Sequence, residues 1–131
     1  MVDLLAIKDL SGRTLRGSAS WAAPSIHVML NGSGDATAAS EMRAFIEQIE
    51  ERARQLHAHS IVFDVREVSL LSSSCIAALV TLVVNASDLP RSERIRIEFR
   101  IAAARWWQDR SFAAIRALAP DLVQINAGRA A

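Results

Sequence analysis

Residues Ser60 to Val80, SIVFDVREVSLLSSSCIAALV, read as strand, serine turn and helix, and the rest of the chain can be placed around them. Ile61, Val62 and Phe63, then Val68 to Leu71, are short runs of strand-favouring β-branched and apolar residues, with the polar stretch Asp64 to Glu67 between them. These are expected to be two strands. Beyond them the period changes: Ile76, Leu79, Val80 and Val83 recur at helical spacing. Ser72, Ser73 and Ser74 fall where a helix start needs side-chain oxygens for its unpaired N–H groups. One serine suffices for a cap. The positive end of the helix dipole would also favour a phosphate on one of these hydroxyls, which makes the turn a candidate switch.

Upstream, Ile26, Val28 and Leu30 alternate with His27 and Met29, a strand pattern that Asn31 to Gly34 is expected to end in a turn. Asp35 or Thr37 can cap the helix that follows. Met42, Phe45, Ile46, Ile49, Ala53 and Leu56 form its apolar stripe, while Arg43, Glu47, Glu50, Glu51 and Arg54 face away. Residues 1–24 are expected to form an N-terminal extension with short strands at Leu4–Ile7 and Thr14–Arg16 around a Ser11–Gly12 turn, closed by Trp21 and Pro24.

Downstream, Ser87 to Glu93 is a polar connection containing Pro90. Ile95, Ile97, Phe99 and Ile101 then alternate with Arg94, Arg96, Glu98 and Arg100, a strand with one wet face. A last helix is expected between Ala103 and Ala119 with Trp107, Ser111, Ile115 and Leu118 inward. Pro120 and Asp121 end it before a short strand, Leu122–Ile125, and a frayed tail, Asn126–Ala131. Strands joined through helices imply parallel neighbours with right-handed crossovers, hence an α/β domain with a mixed, mostly parallel sheet and helices packed on one face.

Asp64-Val-Arg-Glu-Val-Ser-Leu-Leu-Ser-Ser-Ser-Cys-Ile-Ala-Ala-Leu-Val80 resembles, without insertion, the signature of STAS domains, the anti-sigma factor antagonist fold. There an Asp closes a strand, a second strand leads into an Asp-Ser-Ser-Gly-Leu type turn, and a helix follows. Leu30, Gly32 and Asp35 resemble the same family's first strand and turn, so the likeness covers roughly residues 25 to 126 of a single domain, 1–131. Ser72 stands where the family has Asp, and Cys75 where it has Gly. The resemblance implies a non-enzymatic bacterial regulator of signal transduction and transcription. Its serine turn and following helix would bind a protein partner, a serine kinase of the anti-sigma type. Phosphorylation of Ser73 would release that partner, and a PP2C-like phosphatase would reset the switch. ATP belongs to the partner, and no cofactor of the chain itself is implied. The expected contact set is Asp35, Asp64, Ser72, Ser73, Ser74, Cys75, Ile76 and Trp106. The alternative is a constitutive accessory subunit of a transporter ATPase or larger signalling complex, in which the serines only cap the helix.

Other chemistries find less support. With 131 residues, 51% hydrophobic and 22% charged, the chain can bury one core but not two. A net charge of +1 with signs interspersed indicates neither nucleic acid nor an anionic membrane surface. A single Cys excludes an internal disulfide, and Met1–Lys8 lacks the basic and apolar regions of a signal peptide; both fit a cytoplasmic protein without membrane insertion. At the helix start Cys75 is either a low-pKa thiol or a small residue packed on the sheet. His57 and His59, two apart at a helix end, are explained by the negative dipole end better than by metal. Asp35 and Asp64 invite acid–base chemistry, yet no nucleophile–His pair or phosphate loop accompanies them, so no catalytic residue is assigned. Asp64 is instead expected to accept backbone N–H groups near the serine turn. Neighbouring helical residues point about 100° apart, so Trp106 and Trp107 cannot both face inward; Trp106 is a candidate contact for a partner or for a second copy in a homodimer.

Overall fold

The structure, a computed structural model, describes residues 5–128. Six strands form one sheet in sequence order: β1 (Leu10–Ser11), β2 (Leu15–Ala22), β3 (Ser25–Gly34), β4 (Ser60–Leu71), β5 (Arg96–Ala102) and β6 (Val123–Gly128). β1, β2 and β3 pair antiparallel, and β3 to β6 pair parallel. The parallel strands are joined through α1 (Ala39–Gln55), α2 (Ser73–Ser87) and α3 (Trp106–Leu118), with α2 packed between the other two in a single helical layer. The expected mixed, mostly parallel sheet with helices on one face is therefore present.

Ile26, Val28 and Leu30 of β3 turn inward, and so do Ile97, Phe99 and Ile101 of β5, meeting Met42, Phe45, Ile46 and Ile49 of α1 and Leu79, Leu82 and Val83 of α2. Phe63, Phe99 and Phe112 run from the sheet to α3, with ring centroids 5.5 and 4.7 Å apart. Such pairs add roughly 0.5–1.5 kcal/mol beyond the area they bury.

Five expectations are corrected. The polar stretch Asp64–Glu67 does not separate two strands, because β4 is continuous over 12 residues. Its register against β3 slips between Met29 and Asn31 and again between Gly32 and Ser33, and at each slip β4 holds one more residue than its neighbour. The core-facing residues of β4 are consequently Ile61, Phe63, Val65, Val68 and Leu71, with spacing two before the bulges and three across them. Asn31–Gly34 is likewise not a turn, since β3 runs through to Gly34.

In the N-terminal part the strands are Leu10–Ser11 and Leu15–Ala22, and no strand spans Leu5–Ile7; Leu4 lies outside the described residues. Leu5, Leu10 and Leu15 are buried in the common core, which makes this part a sheet edge rather than an appendage. The inward stripe of α3 is Gln108, Phe112 and Ile115, with Leu118 54% exposed. A polar residue, Gln108, is fully buried on this stripe, and Trp107 packs half-buried against the core beside it. At the C-terminus β6 extends over Asn126–Gly128, and residues 129–131 of the expected tail lie outside the described residues.

Candidate protein-interaction site

In a parallel sheet crossed by helices, each helix starts where a strand ends, so the carboxyl ends of the strands gather helix N-termini and the turns leading into them. Here that edge carries the turn after β3 and the turn after β4, which are tied together directly. Ser72 donates its backbone N–H to the Gly34 carbonyl at 2.7 Å, and the Cys75 thiol donates to the Asp35 carbonyl at 3.6 Å. Gly34 permits the approach: a Cβ on it would meet Leu71 Cδ2 at 2.7 Å and Cys75 Sγ at 3.2 Å.

Each turn is capped by its own side chain. The Asp35 carboxylate accepts from the backbone N–H groups of Thr37 and Ala38 at 3.0 and 3.2 Å, closing the short 3-10 turn Ala36–Ala38 ahead of α1. The Thr37 hydroxyl bonded to it, with those N–H groups, holds the Asp35 carboxyl below its ordinary value. Of the two caps open from sequence, Asp35 is the one used. Ser72, in extended backbone, caps α2 by accepting from Cys75 N at 3.3 Å.

Ser73 and Ser74 are exposed at the first two helical positions and make no side-chain hydrogen bond. Beyond them α2 carries no charged residue: SSCIAALVTLVVNAS presents Ala77, Thr81 and Val84 to solvent, with Ile76 and Val80 half-buried. An exposed uncharged strip headed by free hydroxyls lies between α1, studded with Glu and Arg, and α3, which carries Asp109, Arg110 and Arg116.

Not every residue expected in the contact set reaches this surface. Cys75 is fully buried, which decides for the packed alternative over the reactive thiol. Asp64 lies within β4 on the sheet face away from the helices, 7% exposed. It accepts the Arg66 guanidinium at 3.0 and 2.7 Å and Arg66 N at 3.2 Å. The hydrogen bonds from Arg66 lower its pKa first; the same guanidinium's charge and that of Arg100 add to them, and burial opposes them. It therefore holds its own strand rather than the serine turn, roughly eight residues or about 25 Å away along β4. Trp106 is 70% exposed at the start of α3, its ring 6.0 Å from the Arg110 guanidinium, whereas Trp107 packs against the core beside Phe112.

Gln108 was missed. It is fully buried and donates to the carbonyls of Val65 and Val68 at 2.8 and 2.9 Å, while its own oxygen accepts from Ala102 N at 2.8 Å. β5 pairs with β4 only from Ser60 to Asp64, and Gln108 satisfies carbonyls of β4 beyond that point; Arg105 does the same for the Arg66 carbonyl at 3.1 Å. The segment leading to the serine turn is thus held by side chains from α3. The only sequence signal was a lone amide in an amphipathic helix.

Among the described residues no group of three His, Cys, Asp or Glu could hold a metal, and no helix is long and apolar enough to cross a membrane.

No family model matches the chain, and no curated protein does. Among solved structures, the crystal structure of an anti-sigma factor antagonist from Mycobacterium paratuberculosis superposes with a TM-score of 0.62 and 13% identity, over 88% of this chain and 90% of that one. The overlap spans nearly the whole of both chains. The fold is that of an anti-sigma factor antagonist, in agreement with the STAS-like architecture expected from residues 64–80.

Proposed function

We propose that the chain is a non-enzymatic regulator that binds a protein partner through the serine turn and the exposed strip of α2, and that phosphorylation of Ser73 releases it. The observation that carries this reading is the division between adjacent hydroxyls: Ser72 caps the helix, and Ser73 is exposed and unbonded beside it. A phosphate on Ser73 would add about −1.5 to −2 charges at a helix end whose dipole tolerates it. A partner seated on an uncharged strip would then meet a charged rim. The likeness to a solved anti-sigma factor antagonist supports an anti-sigma-like serine kinase as the partner, with a phosphatase restoring the free hydroxyl and with both enzymes in the cytoplasm. Ser74, Ile76 and Trp106 complete the contact surface.

The test uses protein purified from its own host together with two variants. Phosphate mapped by mass spectrometry to Ser73, retained partner capture by Ser73→Ala and weakened capture by Ser73→Asp are the expected results. A Ser73→Asp protein that captures the partner as the parent does removes the switch and leaves a permanently docked subunit.

A further inference from the structure

At the opposite end of β4 from the serine turn, a cavity of about 250 Å³ opens between the C-terminal ends of α1 and α2. Its floor is apolar, made by Ala53, Ala58, Leu89 and Ile95, of which Ala53, Ala58 and Ile95 are buried. Its rim is made by Arg54, His57, His59 and Arg94, with Glu93 as the only acid lining it. A second, smaller cavity between the helices shares Arg54, Leu89 and Ile95 with it and is lined further by Leu82, Ala86, Ile97 and Glu50.

The charges on the rim are only loosely engaged. Arg54 approaches Glu50 at 3.8 Å with its side chain 55% exposed. Arg94 approaches Asp121, an acid 75% exposed, at 3.7 Å through Nη1, while its Nε donates to the Leu89 carbonyl at 3.2 Å. Each pair is long and has one well-exposed member, the other being 17% exposed for Glu50 and 34% for Arg94, so each is a weak contact that a ligand carboxylate can exchange for its own. The carbonyls closing α1 are already occupied: Leu56, His57 and Ala58 donate their N–H groups to Arg52, Arg54 and Ala53. Arg54 and the imidazoles are therefore not needed as donors closing α1, whereas Arg94 Nε serves the Leu89 carbonyl just beyond α2.

His57 itself has φ +53°, in the left-handed position after a helix where glycine costs least. A side chain placed there stands on the rim of the cavity.

Two guanidinium groups and two imidazoles over an apolar floor match a small organic anion with an apolar body, and we propose that this cavity binds such a ligand, a short-chain carboxylate. The carboxylate would sit at Arg54 and Arg94 and the chain on Leu89 and Ile95. This site lies roughly 35 Å from the serine turn along β4 and does not depend on the switch.

The test is an amide-resolved NMR titration of the full chain with hexanoate, with hexanol as the uncharged counterpart and inorganic phosphate as the anion without a chain. Hexanoate should shift the amides of His57, Ala58 and Ile95 saturably and together, and should bind about tenfold more tightly than hexanol or phosphate. Arg54→Gln, an exposed change that leaves the core untouched, and Arg94→Ala should each weaken hexanoate by a similar factor while the remaining spectrum is kept. Equal binding of hexanoate and hexanol, hexanoate affinity unchanged in Arg54→Gln, or shifts spread over the surface without saturation would each overturn the assignment.

Discussion

Ser72 and Ser73 are one peptide unit apart and make opposite uses of the same hydroxyl. Ser72 Oγ accepts from Cys75 N and caps the start of α2, so Ser72→Ala should cost about 1 kcal/mol in urea unfolding, whereas Ser73→Ala should lie within about 0.5 kcal/mol of the parent. Comparable losses in the two variants would show that Ser73 also carries structure. Asp64 gives a pH-dependent counterpart. Its carboxyl titrates below the ordinary 3.8, so its contribution is complete above that value and is lost as pH falls through the lower folded one. Arg66 has its side chain 47% exposed, and solvent screening holds the contribution to about 1 kcal/mol. Asp64→Asn should therefore be less stable than the parent near neutrality and match it in acid, measured by thermal unfolding across pH. A gap that persists below the folded titration would assign the loss to packing instead.

Elements were legible where their side chains obeyed one period, and misread where a local device broke it. The α1 stripe and the alternations of β3 and β5 follow the sequence directly, because each buries one face against one neighbour. β4 was split in two because its bulges put two exposed residues, Arg66 and Glu67, in succession, which in a sequence has the signature of a loop. The serine turn was legible, since both the cap and the exposed hydroxyls follow from helix-start chemistry. Tertiary facts set what was not: Cys75 is buried because β3 and its turn lie over it, and Gln108 is buried because β4 outruns β5. Gln108→Leu should leave two carbonyls and one N–H without partners and cost about 3 kcal/mol, seen as a lower urea midpoint with the slope retained. A loss below about 1 kcal/mol would mean that water replaces the amide.

For the whole molecule, the antiparallel edge β1–β2 is the part whose standing differs most from expectation. Leu5 and Leu15 are fully buried, and Gly17 lets β2 close on Leu30 and on Phe45 of α1, so the edge completes the core rather than decorating it. Burial of each leucine contributes about 1.5–3 kcal/mol, against a total stability of only about 5–15 kcal/mol for a domain. A chain lacking residues 1–24 should therefore show no cooperative thermal transition, checked by circular dichroism; a sharp transition in that fragment would make the edge dispensable. Gln108 has a consequence of another kind, in time. It lies 40 residues or more beyond the carbonyls it satisfies, so during synthesis the far half of the central strand waits for the third helix to leave the ribosome. The carboxyl edge of the sheet is thus finished late, the strand carbonyls that Gln108 satisfies staying in water until then.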